Sequence, residues 1–282
     1  MNRRSALKTL VAGASLPLVG GPALAAGAKG TPGRKAEFNL GVATVSLKSL
    51  PLANMLAAVQ RVGFGTISLH RAHSPWENQP GQWREIADRI RGVGIGVRCC
   101  GVLYLKNDEA AARRMLDYVR ALGLSLFSCN IEPLGLPLLE KLLREYDLRA
   151  AIHNHGPEDR LWPGARSVWD AVQSLDPRIG LCLDTGHSYR AGEDPAELLR
   201  RYAPRVFDVH LKDSAAEVGK DDIPVEMGRG KMNLSAILTA LIESGYRENV
   251  WLEYEKDPND PIPGLAESAG YVRGLLRGLS AP

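Results

Sequence analysis

The sequence predicts an α/β protein built as a single (β/α)8 TIM barrel. Short runs typical of β-strands alternate eight times with segments of helical periodicity. The length of 282 residues suits one barrel of about 250 residues behind a short leader. The alternative is an open, doubly wound sheet, which usually carries a glycine-rich phosphate loop after its first strand. The first predicted strand has no such loop, because it continues as Val42-Ala43-Thr44-Val45-Ser46.

The eight strand-helix units follow one another without a long gap. The strands are predicted at residues 38–45, 66–70, 94–102, 124–131, 148–154, 179–184, 206–211 and 250–255. The helices are predicted at residues 51–62, 81–92, 108–122, 136–146, 163–175, 195–202, 234–244 and 265–279.

Local signals mark several of these boundaries. Gly63, Gly123 and Gly245 each follow a helical stretch, where a left-handed C-cap favours glycine. Asp108 is typical of a helix N-cap. The third and fourth helices show one apolar face at a spacing of 3.6 residues, formed by Ala112, Met115, Leu116, Val119 and Leu122 and by Leu138, Leu139, Leu142 and Leu143.

Residues 1–28 have the features of an export signal. Arg3, Arg4 and Lys8 precede a weakly apolar stretch, and Ala23-Leu24-Ala25 fits a small-residue cleavage site. The paired arginines resemble a twin-arginine signal, although Ala6 stands where that signal usually has Phe. We therefore predict a periplasmic protein that uses the twin-arginine export machinery, with the barrel domain at residues 36–282. The alternative of a membrane anchor is weaker, because glycines and prolines interrupt the apolar stretch, and no later segment is long enough to span a bilayer.

Composition and charge narrow the function. Hydrophobic residues make up 45% and charged residues 24%, which is ordinary for a globular protein and excludes a disordered chain or a coiled coil. The net charge of +3 comes entirely from the leader, so the remainder is neutral. A neutral body argues against a nucleic acid partner, since such binding depends on phosphate neutralisation. The four cysteines form no C-x-x-C pair, and we predict buried free thiols.

Histidines gather where strands are predicted to end. All six lie at or just after the carboxyl end of a predicted strand, namely His70, His73, His153, His155, His187 and His210. That face of a barrel carries the active site in TIM-barrel enzymes. Carboxylates occur at the same ends: Glu132, Asp184, Glu253 and Glu255. Mixed imidazole and carboxylate groups predict one divalent metal ion, Mn²⁺, Co²⁺, Zn²⁺ or Fe²⁺.

Four ordered motifs resemble those of a known family. They are Ala151-Ile152-His153-Asn154-His155-Gly156, Leu183-Asp184-Thr185-Gly186-His187, Val209-His210-Leu211-Lys212-Asp213 and Trp251-Leu252-Glu253-Tyr254-Glu255. Their order and spacing are similar to those of xylose-isomerase-like TIM barrels, the sugar phosphate isomerase/epimerase group. The resemblance implies a metal held by Asp184, His210 and Glu253. Where the family has a carboxylate on strand five, this chain has His153, so either His153 or Glu132 completes the predicted metal site, and we predict His153.

The resemblance also implies a reaction class. Family members isomerise or epimerise sugars, and some dehydrate keto-sugars or keto-cyclitols. The shared step is proton removal beside a carbonyl. The candidate bases are Glu132, His155 and Glu255, and the candidate substrate-binding residues are His70, His187, Lys212 and Arg229. For Lys212, an ion pair with Asp213 or a surface acid is the competing interpretation.

The expected substrate is an unphosphorylated or oxidised carbohydrate, such as a keto-sugar, because no phosphate-binding glycine cradle is evident. An isomerase or epimerase is the first hypothesis, and a keto-sugar lyase acting at the same site is the second. A non-catalytic periplasmic sugar-binding barrel is the third. An abasic-site endonuclease, which shares this barrel, is disfavoured by the neutral body and by too few metal ligands.

Overall fold

A computed structural model describes residues 35–280 and shows parallel strands arranged as a nearly closed barrel. The leader predicted at residues 1–28 lies outside the described residues. The described strands are β1 (Asn39–Ala43), β2 (Thr66–Leu69), β3 (Gly96–Cys100), β4 (Leu103–Tyr104), β5 (Leu126–Asn130), β6 (Arg149–His153), β7 (Ile179–Asp184), β8 (Val206–Leu211) and β9 (Asn249–Leu252). The predicted TIM barrel is confirmed.

The third predicted strand, at residues 94–102, is shorter than predicted, because β3 ends at Cys100; after a break, a second short strand that was not predicted, β4, begins at Leu103. β3 pairs with β2, and β4 pairs with β5. The hydrogen-bonded order therefore runs β3-β2-β1-β9-β8-β7-β6-β5-β4, and the two ends of this series are consecutive in the chain.

Gly101 lies at the break and fits there because it has no side chain. Its φ of +152° is uncommon for other residues, and a Cβ there would lie 2.3 Å from Ser128 Oγ and 2.4 Å from the Ser128 carbonyl oxygen. The sequence pattern did not reveal the break, because residues on both sides of Gly101 are apolar and fit a strand.

We expect Gly101→Ala to destabilise the barrel by about 2–4 kcal/mol, since the methyl group would meet backbone atoms that cannot rotate away. Thermal unfolding followed by circular dichroism measures the effect. Gly270→Ala is the matched control, because no atom lies within 4 Å of that Cβ position on an exposed helix face. A melting temperature for Gly101→Ala equal to that of the control would contradict the close packing at the break.

Helices cover the outside of the strands. The described helices are α1 (Leu52–Val62), α2 (Pro80–Gly92), α3 (Glu109–Ala121), α4 (Leu136–Tyr146), α5 (Ala165–Val172), α6 (Thr185–Arg190), α7 (Pro195–Tyr202), α8 (Leu234–Glu243) and α9 (Pro261–Leu279). The predicted N-cap is confirmed, since Ala111 N donates to Asp108 Oδ1. Gly63, Gly123 and Gly245 have positive φ, as predicted. The short helix α6 was not predicted, because its six residues show no apolar period.

Two apolar clusters hold these elements together. The larger lies between the helices and the outer face of the strands. The smaller fills the barrel interior and consists of Ala43, Cys99, Leu126, Ala151, Cys182, Phe207 and Trp251. All four cysteines are free and buried, which confirms the prediction. Among the described residues, no helix combines the length and apolar character needed to cross a membrane.

Candidate metal centre

Three predicted ligands meet at the carboxyl ends of adjacent strands. Asp184 ends β7, His210 lies opposite it on β8, and Glu253 follows β9. Their ligand atoms lie within 4.8 Å of one another, and all three residues are buried. His210 Nδ1 is 2.7 Å from Glu253 Oε2. We call Asp184, His210 and Glu253 the upper group.

The fold orients Asp184 through its neighbours. Its Oδ1 accepts from His187 N at 2.8 Å, so Asp184 caps the N-terminus of α6. Its backbone N–H donates to Asn154 Oδ1 at 3.0 Å. Its other oxygen, Oδ2, lies 3.3 Å from Lys212 Nζ and 3.5 Å from His153 Nε2.

The upper group fits a divalent cation. Asp184 Oδ2, Glu253 Oε2 and both ring nitrogens of His210 are buried and make no hydrogen bond of normal geometry, although His210 Nδ1 lies only 2.7 Å from Glu253 Oε2. Buried polar atoms normally make such bonds, so this close cluster of poorly paired ligand atoms favours a cation between them. Two carboxylates and one imidazole suit a metal of intermediate hardness.

Lys212 supplies positive charge beside this group. Its Nζ lies 2.8 Å from Glu253 Oε1, 3.3 Å from Asp184 Oδ2 and 3.4 Å from Glu255 Oε2. The side chain is 7% exposed. Lys212 therefore pairs with these three carboxylates and not with Asp213, which was the competing interpretation, and it belongs to the cluster.

The charges of the cluster are mutually dependent. Burial disfavours both carboxylates, but His187 and Lys212 hold the pKa of Asp184 well below its usual value. Lys212 and His210 do the same for the pKa of Glu253. Burial likewise opposes the Lys212 ammonium, yet Asp184 and Glu253 raise its pKa well above the usual value. Both carboxylates are therefore ionised at neutral pH.

His153 stands beside the upper group rather than within it. Its Nε2 lies 3.5 Å from Asp184 Oδ2, and its ring centroid is 4.8 Å from that of His210. A second set of candidate ligand atoms joins His153, Cys182 and His210, again within 4.8 Å of one another. Burial lowers the pKa of His153 well below its usual value, so the ring is neutral. We call His153, Cys182 and His210 the lower group.

His155 and His187 line the wall above these groups. Asn130 Nδ2 is 3.1 Å from His155 Nδ1, and Tyr104 Oη is 3.4 Å from His155 Nε2. His187 Nε2 lies 3.5 Å from Lys212 Nζ. Burial lowers the pKa of both histidines.

A cavity of about 210 Å³ opens above the cluster. Its walls include residues of the upper and lower groups together with His70, Tyr104, His155, His187, Lys212 and Glu255. This volume is below the range of about 300–1,000 Å³ for drug-sized ligands, so the cavity suits a small molecule. Glu255 is its more accessible carboxylate, with 30% of the side chain exposed against 7% for Glu253.

Comparison with known proteins identifies the family of folds to which this barrel is similar. Residues 136–275 match the sequence model of the xylose isomerase-like TIM barrel family. The fold is that of a xylose isomerase-like TIM barrel. A solved L-ribulose 3-epimerase has a TM-score of 0.69 and 17% identity, with 86% of this chain and 95% of that chain covered.

Curated relatives match part of this xylose isomerase-like barrel. Inosose dehydratase of Clostridium tetani (strain Massachusetts / E88) is 28% identical over 162 residues, covering 49% of this chain and 52% of that protein. Rhizopine catabolism protein MocC of Rhizobium meliloti is 34% identical over 139 residues, covering 44% and 42%. The chain thus spans about half the length of these relatives.

Most predicted site residues converge in this xylose isomerase-like barrel. The cavity brings together His70, His153, His155, His187, His210, Lys212, Glu253 and Glu255, with Asp184 buried beside it. His73 is a structural histidine, because its ring contacts Thr44 Oγ1 and the carbonyl oxygens of Leu47 and Leu50. Burial, followed by the charge of His73, lowers the pKa of His70 to about 4.

Two predicted residues lie apart from the cavity. Glu132 is exposed and precedes the 3-10 turn at Pro133–Gly135. Arg229 is 59% exposed and pairs with Glu267 of α9. Asp213 fixes the backbone on both sides of Arg229, since Gly228 N and Gly230 N both donate to Asp213 Oδ2.

Asp208 belongs to the site and was missed from the sequence. It is fully buried on β8, accepts from Trp251 Nε1 at 2.6 Å and lies 3.8 Å from His210 Nε2. Burial raises its pKa to about 6 against the opposing charge of His210. Its position two residues before His210 on a strand, and so on the same side, was the available signal.

Proposed function

We propose that this protein is a metal-dependent carbohydrate enzyme that removes a proton beside the carbonyl of a small unphosphorylated keto-sugar or keto-cyclitol. The observation that carries the proposal is the upper group, whose buried lone pairs converge beneath a small cavity. The relatives named above act on inosose or are named for rhizopine catabolism, which supports a polyhydroxylated substrate. Export to the periplasm remains a prediction.

Asp184, His210 and Glu253 would hold the metal. When bound, a divalent cation polarises the carbonyl and stabilises the negative charge that develops on its oxygen. His153 Nε2 lies 3.5 Å from Asp184 Oδ2 but is not one of the three clustered ligand atoms, and Glu132 is exposed and does not line the cavity.

The remaining groups divide the proton chemistry. Glu255 is the proposed base, because it is the accessible carboxylate of the cavity wall. His155 contacts the Asn130 amide at Nδ1 and Tyr104 Oη at Nε2, and it is the proposed second proton-transfer group of the cavity wall. His187 and Lys212 face the same space and can bind substrate oxygens. His70 lies on the opposite wall as a neutral polar contact.

Proton removal serves two reactions. An epimerase or isomerase returns the proton to carbon, whereas a dehydratase expels a neighbouring hydroxyl group as water. Because several relatives are inosose dehydratases, dehydration is the second candidate reaction. Mass spectrometry distinguishes them, since only the dehydratase product has lost water.

We expect the manganese-loaded protein in D₂O to introduce deuterium at the carbon beside the carbonyl of a keto-sugar or keto-cyclitol. Glu255→Gln should slow this exchange by about 10²- to 10⁴-fold, the usual contribution of a general base. Proton NMR of the substrate measures the exchange, and Asp88→Asn on the exposed face of α2 is the control. A protein that binds Mn²⁺ and sugar without exchange would be a binding protein instead.

A further inference from the structure

The upper group leaves one set of buried nitrogens without a role. His153 is 3% exposed, and neither ring nitrogen makes a hydrogen bond of normal geometry, the nearest carboxylate oxygen being Asp184 Oδ2 at 3.5 Å from Nε2. Burying unsatisfied nitrogen atoms costs free energy, so an imidazole kept in this state indicates a ligand at that position. The three ligand atoms of the upper group do not include one from His153.

Cys182 faces the same space from the neighbouring strand. His153 on β6 is in register with Cys182 on β7, and Cys182 lies two residues before Asp184 on the same side. Its thiol is fully buried and free. His153, Cys182 and His210 thereby place two nitrogens and one sulfur within 4.8 Å of one another.

We propose that the lower group is a second, thiolate-containing metal position that prefers Zn²⁺ over Mn²⁺. One cysteine and two histidines form a ligand set that suits zinc, whereas the oxygen-rich upper group suits a harder ion. The position shares His210 with the site of the proposed function but needs neither Asp184 nor Glu253.

Asp208 strengthens this assignment through its charge. Its Oδ2 lies 3.8 Å from both Cys182 Sγ and His210 Nε2, deep in the barrel. Trp251 holds the other oxygen. The Cys182 thiol donates to Asp208 Oδ2, and once that proton leaves, a divalent ion would offset the charges of the thiolate and of the carboxylate. Binding forms the Zn–S bond while the Cys182 S–H bond breaks, and the proton leaves to solvent.

X-ray absorption of the protein loaded with one equivalent of zinc tests the proposal. We expect a sulfur shell at about 2.3 Å beside nitrogen ligands at about 2.0–2.1 Å. Cys182→Ser should lose the sulfur shell. Cys99→Ser is the matched control, because Cys99 Sγ touches the same Asp208 oxygen at 3.4 Å yet lies outside the lower group. Circular dichroism checks that each variant is folded, and Cys182→Ala serves if the serine variant is not.

A zinc environment of nitrogen and oxygen alone in the unmodified protein would overturn the proposal. So would a sulfur shell that survives in Cys182→Ser and disappears in Cys99→Ser. Deuterium exchange is measured separately with Mn²⁺, so either result leaves the proposed enzymatic function to stand or fall on its own.

Discussion

Asp184→Asn is expected to abolish metal-supported activity while leaving the fold intact. The asparagine side-chain oxygen can still accept from His187 N and cap α6, because Asn and Asp are comparable N-caps. It cannot supply the negative charge that Asp184 Oδ2 presents to the upper group. We expect Mn²⁺ affinity to fall more than tenfold and deuterium exchange to fall about a thousandfold, which corresponds to about 4 kcal/mol of transition-state stabilisation.

A second N-cap aspartate, Asp194, provides a control that separates the loss of charge at the metal site from any effect on helix capping. Asp194 caps α7 by accepting from Ala196 N at 2.9 Å and is exposed outside the cavity. Asp194→Asn should therefore keep both Mn²⁺ binding and exchange. Manganese titration by electron paramagnetic resonance, together with the exchange assay, compares the two variants. Undiminished Mn²⁺ affinity in Asp184→Asn would remove the upper group as the manganese site.

Sequence pattern located the strand-end residues because the barrel itself aligns them. In parallel strands of known order, a residue at the carboxyl end must lie at the mouth, so Asp184 and His210 could be placed without coordinates. His73 was not separable from the others, because its role depends on carbonyl oxygens of a turn that the sequence does not describe. Five of the six histidines reach the cavity.

Loop residues and interior polar residues were harder to place. Arg229 lies in a segment with no periodicity. Its position depends on the hydrogen bond between Asp213 and the neighbouring Gly228 backbone and on an ion pair with Glu267. Asp208 lies in a strand whose other residues, apart from His210, are apolar, so the pattern resembles that of a packed core strand. The break after β3 places Gly101 against Ser128, a contact between residues far apart in sequence that the local pattern does not show.

Lys212→Met should lower the stability of the metal-free protein and raise its affinity for a divalent cation. Without the ammonium group, the carboxylates of Asp184 and Glu253 are left buried beside each other with less compensating charge. Removing one partner of a buried ion pair costs about 3–5 kcal/mol, which lowers the melting temperature on the order of 10 °C in a domain of this size. Because Lys212 Nζ and a cation contact the same carboxylates, Mn²⁺ should raise the melting temperature more in the variant than in the unmodified protein.

Lys48→Met is the matched control for this effect. Lys48 pairs with Glu255 at 2.9 Å, but its side chain is 47% exposed, so its loss should cost at most about 1 kcal/mol. Calorimetry with and without Mn²⁺ measures both variants, and deuterium exchange should fall in Lys212→Met even when the metal is bound, since Lys212 also faces the substrate cavity. Equal melting temperatures for the two metal-free variants would mean that Lys212 is not the charge that holds the upper group together. Full exchange in metal-loaded Lys212→Met would limit its role to that electrostatic one, because the ammonium group would then be dispensable once a cation occupies the carboxylates.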